Sequence, residues 1–189
     1  DIDKIIPLND MKGYELLKAT MFGFGYPNYG VALLLKEEAT GKIFLQRVKI
    51  TGSNAKPRIL EIFKDEVIGL PGIPTVSALP LNGPEYMFFA VDKNVYCLDL
   101  NNITKPVTLY KSFDANVVAM NAESETYSCA HMAVGLENGE FYILMIYGAK
   151  NLSEEEKVIY PKHGAAYPAE ERMGRIVDIK YKQLDHWNY

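Results

Sequence analysis

The chain has 189 residues, of which 48% are hydrophobic, so it can bury a sizeable core and is not expected to be disordered. The formal net charge is −4 and no Lys/Arg-rich stretch is present, which argues against a nucleic-acid partner because phosphate binding needs a basic footprint. No run approaches the roughly 20 apolar residues of a membrane-spanning helix, so the sequence predicts no transmembrane segment.

The predicted elements form three successive units of four short strands, followed by one further strand. The first unit, residues 14–64, has strands at Tyr14–Met21, Val31–Lys36, Ile43–Ile50 and Ile59–Phe63. The second unit, residues 76–111, has strands at Val76–Leu81, Tyr86–Val91, Val95–Leu100 and Val107–Tyr110. The third unit, residues 117–160, has strands at Val117–Asn121, His131–Leu136, Phe141–Tyr147 and Lys157–Tyr160, and the further strand is Ile176–Tyr181.

A hairpin signal recurs once in each unit, at Thr40–Phe44, Lys93–Tyr96 and Asn138–Tyr142. Each signal starts with small or polar residues that suit a two-residue β-turn, where glycine and asparagine tolerate a positive φ. The aromatic residues that end the three signals are 52 and then 46 residues apart. A period of roughly 40–50 residues with several short strands is typical of β-propeller blades.

The composition of single strands supports the same architecture. Leu33–Leu35, Met87–Val91 and Tyr142–Ile146 are near-continuous apolar runs, as in strands that are buried on both faces between stacked blades. Ile59–Lys64 instead mixes apolar and charged residues, which indicates an outer strand exposed on one side. The stretch Gly69–Pro74 is rich in glycine and proline and separates the first two units.

The sequence therefore predicts an all-β, β-propeller-like single domain over residues 1–189, with about three four-stranded blades and the inner strand of a further blade. Propellers have four to eight blades, and an arc of three would expose two large apolar faces. We therefore expect this chain, which starts at Asp1 without Met, to be a C-terminal fragment of a larger propeller. The alternatives are self-association and closure as a distorted four-unit barrel.

The two cysteines, Cys97 and Cys129, fall in strand-like segments. We expect two small buried hydrophobic side chains, because free cysteine is often buried. A disulfide is the alternative in an oxidising compartment, since the sequence does not fix the distance between the two residues. The chain has no CxxC motif and no Cys/His cluster, so no zinc site is predicted.

The Gly/Pro-rich segment Phe22–Gly30 is the first candidate ligand-binding loop, because it connects two predicted strands at one rim of the propeller. Tyr26 and Tyr29 are its candidate contacts, since tyrosine rings stack on sugars or peptides and add a hydroxyl group. The alternative is that Phe22 and Phe24 pack between blades while the two tyrosines only cover the rim.

The irregular insert Gly148–Arg175 is the second candidate loop, and His163 and Tyr167 are its candidate contacts. Long loops on a rigid scaffold often carry function. The alternative is that His163 is an exposed loop histidine without a role.

No catalytic, metal-binding or cofactor-binding motif is recognisable, so the sequence predicts no catalytic residues, no metal and no cofactor. The chain lacks G-x-S-x-G and H-E-x-x-H, and its carboxylates do not follow the calcium-loop spacing. The alternative is a propeller enzyme, of a glycosidase or lyase type, whose site is completed by further blades. Asp178 and Asp114 are the carboxylates that such a site could use.

Segments in the C-terminal half resemble a known family: Tyr110–Ser112, Val117–Met120, Tyr142–Tyr147, Val158–Pro161 and Gly174–Tyr181. The pattern of strand-like segments is similar to that of the propeller-like region of the PKD-like lipoproteins of Gram-negative gut anaerobes. The resemblance implies an outer-membrane lipoprotein of the cell envelope, exposed to the surface or the periplasm. It also implies association with importers that pair a TonB-dependent channel with a substrate-capturing lipoprotein. The family's lipid-bearing cysteine and PKD-like modules do not occur in this sequence.

These observations together predict a non-catalytic binding or scaffold module of an envelope lipoprotein. Its expected ligand is a glycan or a peptide, and its expected protein partners are components of an outer-membrane importer.

Overall fold

The computed structural model describes residues 11–23, 29–51, 58–80, 86–126, 129–147 and 166–167. All regular structure in these residues is β-strand, arranged as three antiparallel four-stranded sheets. The chain divides into two compact units, the first made of Asp1–Leu70 and Ile103–Pro106, the second of Pro71–Asn102 and Val107–Tyr189. The all-β class predicted from the sequence is confirmed. In the part of the chain that is described, no helix is long and apolar enough to span a membrane.

The first unit contains one sheet, whose strands follow one another in chain order. These strands are β1 (Tyr14–Gly23), β2 (Tyr29–Glu37), β3 (Ile43–Thr51) and β4 (Arg58–Glu66). The middle strand β2 is buried on both faces, since its successive residues Leu33, Leu34 and Leu35 are all at most 5% exposed. This agrees with the prediction from its continuous apolar run.

An aromatic row spans this sheet near the β2–β3 hairpin. The Tyr14 ring of β1 meets the Phe44 ring of β3 edge-on, with centroids 5.6 Å apart. The Lys64 ammonium of β4 lies 3.4 Å from the centroid of the Tyr14 ring, which is a cation–π contact. The two edge strands are thereby joined across the sheet.

The second unit contains two sheets, each again a meander in chain order. The first has strands β5 (Val76–Ala78), β6 (Tyr86–Val91), β7 (Asn94–Asp99) and β8 (Thr108–Ser112). The second has strands β9 (Val117–Thr126), β10 (Cys129–Leu136), β11 (Phe141–Tyr147) and β12 (Ala166–Tyr167).

The two sheets of the second unit share one hydrophobic core, and β5 lies against β9. Phe88, Met132 and Leu144, from β6, β10 and β11, are fully buried in it. Large side chains that lose all contact with water in this way stabilise the unit by about 1.5–3 kcal/mol each.

Most predicted strands are present, and the differences lie at their ends and at the fourth strand of the third unit. Tyr86–Val91 and Phe141–Tyr147 were predicted with the bounds observed, whereas β5 is shorter than predicted and β9 is longer. On the side of β11 away from β10, the paired strand is β12. The predicted strands Lys157–Tyr160 and Ile176–Tyr181 lie outside the described residues.

The three hairpins have different loop lengths, so the expectation of a two-residue turn is correct only for Asp92–Lys93. The β2–β3 loop has four residues, Glu38–Gly41, and the β10–β11 loop has three, Glu137–Gly139. Both longer loops end in a glycine with positive φ, 73° at Gly41 and 91° at Gly139. Three- and four-residue loops of this kind need one left-handed residue, so a glycine signal alone does not distinguish them from a two-residue turn.

Every longer edge strand in the described part contains a β-bulge. The extra residues, which have no cross-strand partner, are Leu17 in β1, Leu60 in β4, Tyr110 in β8, and Val118 and Glu125 in β9. The two remaining edge strands, β5 and β12, have only three and two residues. Bulges and short strands both weaken the pairing of an edge with another chain.

Candidate functional site

Two of the four predicted ligand contacts, Tyr26 and His163, lie outside the described residues. Tyr29 is the first residue of β2, where its backbone pairs with Gly23 and Ile50. The structure therefore corrects its placement, since it belongs to a strand and not to the loop. The reason is that pairing continues to the ends of β1 and β2, which leaves a connection of only five residues, 24–28.

Tyr167 also lies in a strand, where the sequence predicted an irregular insert. It is the last residue of β12, and its backbone pairs with Phe141 at the start of β11. A strand of two residues can pair there because it lies along the edge of β11 that does not face β10.

Tyr29 and Tyr167 occupy different positions in their respective sheets. Tyr29 lies at the end of its sheet opposite to the β2–β3 hairpin. Tyr167 lies at the end of its sheet that carries the β10–β11 hairpin, one position from Tyr142 in the neighbouring strand. The described residues thus do not show the predicted contacts as one site.

One polar surface of the second unit is formed by three connections at one end of its sheets, and we call it the hairpin rim. It consists of the turn Asp92–Lys93, the connection Phe113–Asn116 and the loop segment Glu137–Glu140. Backbone hydrogen bonds join the three connections. The amides of Val117 and Phe113 donate to the carbonyls of Asp92 and Lys93, both at 2.9 Å, and the Glu137 amide donates to the Asn116 carbonyl at 2.8 Å.

The local sequence explains how the three connections are held together. Asp92 has a φ of 51°, a left-handed conformation that aspartate tolerates better than most residues. The Asn116 side-chain amide donates to Glu137 Oε2 at 2.9 Å, which ties the connection to the next hairpin. The Glu140 amide donates to Asn138 Oδ1 at 3.1 Å, a local side-chain cap within the loop.

The hairpin rim is acidic. Asp92, Asp114, Glu137 and Glu140 lie on it, and the first three are exposed. The Tyr142 hydroxyl lies 3.4 Å from Glu140 Oε2. Partial burial, together with the charges of Glu140 and Asp114, raises the pKa of Tyr142, so its hydroxyl stays protonated and can donate.

An aromatic pair packs beside the carboxylates of the hairpin rim. The rings of Phe113 and Tyr142 are 5.0 Å apart and tilted by 56°, and the Lys111 ammonium lies 5.5 Å from the Phe113 ring. The rim therefore offers carboxylate oxygens that accept hydrogen bonds beside the edge of an aromatic cluster. In the described ranges no group of three or more His, Cys, Asp or Glu residues could hold a metal ion.

The hairpin rim was not predicted from the sequence. Asp114 was predicted only as a carboxylate of the alternative propeller enzyme, and in the structure it is exposed in the β8–β9 connection. Asp178, the other carboxylate of that alternative, lies outside the described residues. The missed signal is the acidic residue that lies within each of the three connections, at Asp92, Asp114 and Glu137.

Cys97 is a free cysteine of β7 that packs against the hydrophobic core but is only partly buried, whereas the sequence predicted a buried side chain. Burial, with a smaller effect from the Asp99 charge, raises the pKa of the Cys97 thiol to about 12. A thiol that stays protonated is a poor nucleophile, so this residue is unsuited to covalent catalysis. The side chain of Cys129 lies outside the described set.

Comparison with protein-family models finds no match to this chain, and comparison with curated proteins finds no significant match. The resemblance to PKD-like lipoproteins is therefore an expectation from the sequence.

Proposed function

We propose that this chain is a β-propeller-like, non-catalytic binding module of a bacterial envelope lipoprotein, which serves the capture of a glycan or a peptide. The observation that carries the proposal is the succession of three four-stranded antiparallel meanders in chain order. Each meander corresponds to one predicted blade. Rigid sheets joined by connections at their ends are a common scaffold for binding surfaces.

Contacts within the second unit support the blade interpretation. Its two sheets meet through their first strands, β5 and β9, as the inner strands of neighbouring blades do. The fourth strand of the first of these sheets is an exposed edge, with Leu109 of β8 being 58% exposed. In a blade, the inner strand is expected to contact the neighbouring blade and the outer strand is expected to face solvent.

The predicted ligand contacts come from two candidate loops that are far apart in the chain. Tyr26 and Tyr29 belong to Phe22–Gly30, and His163 and Tyr167 belong to Gly148–Arg175. Tyr29 is in the first compact unit and Tyr167 is in the second. We therefore treat the two pairs as separate candidate surfaces.

A glycan and peptide array probed with the whole chain tests the proposal. We compare Tyr26→Ala/Tyr29→Ala with His163→Ala/Tyr167→Ala, and expect one double variant to lose retention by at least tenfold while the other binds as the parent does. Each stacked aromatic ring contributes about 0.5–1.5 kcal/mol, so the loss of two such contacts in one variant is enough for a tenfold change. Urea unfolding provides the stability control, with the same midpoint expected for all variants.

A matched variant separates ring stacking from hydroxyl hydrogen bonding. Tyr26→Phe/Tyr29→Phe keeps both rings, so it retains the ligand if stacking dominates. Failure of the parent chain to bind any member of the array, or equal binding by both alanine variants, contradicts the proposal. Co-purification with a membrane-embedded importer component in that case would favour the scaffold alternative.

A further inference from the structure

The β10–β11 hairpin contains an Asn-Gly pair on the hairpin rim, in which Asn138 is exposed and Gly139 is buried. Asn-Gly is the dipeptide in which an asparagine side chain is most open to attack by the next backbone nitrogen, because glycine has no Cβ to obstruct the approach. We propose that Asn138 is a site of spontaneous deamidation whose rate is set by the opening of the β10–β11 hairpin. The proposal does not depend on the proposed binding function.

The reaction needs only the chain and water. The Gly139 nitrogen loses its proton and bonds to Cγ of Asn138, and the Cγ–Nδ2 bond breaks to release ammonia, which takes up that proton. Water then opens the resulting five-membered imide at one of its two carbonyls. One product is aspartate, and the other is isoaspartate, in which the main chain runs through the side-chain carbon.

Two hydrogen bonds engage the reacting groups in the closed hairpin. The Gly139 amide donates its proton to the Leu136 carbonyl at 3.1 Å, so the nucleophilic nitrogen is engaged in the backbone. Asn138 Oδ1 accepts from the Glu140 amide at 3.1 Å, which fixes the carboxamide that must rotate for attack. Ring closure requires the Gly139 amide to leave its bond to Leu136 and the Asn138 carboxamide to rotate out of its bond to Glu140.

These two hydrogen bonds are expected to protect Asn138 against deamidation in the folded chain. Each hydrogen bond contributes about 1 kcal/mol net, so two slow the reaction by roughly 10–30-fold relative to an open peptide. Asn116 provides a way to alter this protection without changing the Asn-Gly pair. Its side chain holds Glu137, the first residue of the loop, through a bond of 2.9 Å to Oε2.

The consequence of the reaction is confined to the hairpin rim. Aspartate at position 138 keeps an oxygen that can accept from the Glu140 amide but adds a charge between Glu137 and Glu140. Isoaspartate lengthens the loop by one main-chain carbon, which disrupts the 2.8 Å bond from the Leu136 amide to the Glu140 carbonyl. The change is irreversible and alters the charge and shape of the acidic surface.

The test compares deamidation in the folded chain with that in a synthetic peptide of residues 136–141 at the same pH and temperature. Mass spectrometry of the tryptic segment 112–150 localises the product, and Asn138→Gln identifies the signal. The second Asn-Gly pair, Asn82-Gly83, falls in another tryptic segment, 65–93. We expect the folded chain to react at least tenfold more slowly than the peptide, and Asn116→Ala to react faster than the parent.

Hydrogen exchange at the Gly139 amide, measured on the same samples, reports hairpin opening directly. Faster exchange and faster deamidation together in Asn116→Ala support the proposal. Equal rates in folded chain and peptide overturn it, as does an intact Asn138 in the peptide. A deamidation rate that stays constant while Gly139 exchange accelerates also overturns it.

Discussion

At the scale of single residues, a few polar atoms inside the strands depart from the apolar pattern around them. Gln46 of β3 is 1% exposed, and both atoms of its amide lack a hydrogen-bond partner among the described residues. Ser77 of β5 is 2% exposed, and its hydroxyl is likewise unpartnered there. Buried polar groups without partners lower stability, which makes these positions informative sites for substitution.

Gln46→Leu should raise the free energy of unfolding by about 1–2 kcal/mol, because it removes an amide whose desolvation is not compensated. Leucine has a similar volume and suits the buried position. The midpoint of urea denaturation measures the change. Gln46→Glu is the control and should destabilise strongly, since it buries a charge. A lower midpoint for Gln46→Leu would show that the amide is satisfied in solution.

The Cys97 thiol should be slow to react in the folded chain. Its pKa of about 12 compares with 9.0 for an ordinary thiol, so the thiolate fraction at pH 8 falls about a thousandfold. Cys129→Ser leaves Cys97 as the only thiol, and its rate with a disulfide reagent is measured folded and in guanidinium. Equal rates in the two states would contradict the burial of this side chain.

The raised pKa of Cys97 also has a consequence for stability. The folded state holds the thiol proton more tightly than the unfolded state. The contribution of the protonated Cys97 thiol to the free energy of unfolding is therefore fully present below pH 9. It is lost as the pH rises from about 9 towards 12. Cys97→Ala in the Cys129→Ser background should reduce this pH dependence in the urea midpoint.

At the scale of elements, the connections between strands determine which sheets are held together. Thr75, just before β5, donates from its hydroxyl towards two carbonyls, Ala90 of β6 and Val117 of β9, both at 3.3 Å. Its amide also donates to Ala90 at 2.9 Å. One residue thereby links the two sheets of the second unit.

Thr75→Val should lower the free energy of unfolding by about 0.5–1 kcal/mol, because it removes the hydroxyl and keeps the shape. The matched control is Thr108→Val, which changes an exposed residue of β8. Chemical denaturation followed by circular dichroism measures both variants. Equal effects of the two substitutions would show that the Thr75 hydroxyl does not join the sheets.

The bulges on the edge strands should limit association between molecules. Deleting Leu60 removes the extra residue of β4 and restores an unbroken register with β3, so this edge becomes straighter and more open to pairing. We expect more oligomer for this variant in analytical ultracentrifugation. Leu60→Ala is the control, because it keeps the bulge while removing a side chain that is 52% exposed. A monomeric deletion variant would mean that other features protect the edge.

At the scale of the whole molecule, the chain contains two compact units, and the proposed propeller requires them to behave as one cooperative domain. We expect hydrogen exchange in urea to give the same opening midpoint for amides of β2 in the first unit and of β6 in the second. Their buried middle positions make these two strands comparable probes. Clearly different midpoints would indicate two independent domains and would contradict the single propeller-like domain.

The sequence by itself determined the all-β class, the positions of most strands and the buried character of the middle ones. These properties depend on local features, namely apolar runs of strand length bounded by glycine, proline and asparagine. Leu33–Leu35 and Met87–Val91, for example, are buried because such runs cannot remain in contact with water at either face.

The loop lengths, the bulges, the position of β12 and the hairpin rim became apparent only from the tertiary structure. Each depends on which residues face one another across paired strands, and for β12 and the hairpin rim the paired segments are also distant in sequence. Tyr167 pairs with Phe141, and Asn116 meets Glu137, through contacts that span more than twenty positions. Local periodicity does not encode the register of such pairs, because register is set by the packing of whole faces and by turn geometry.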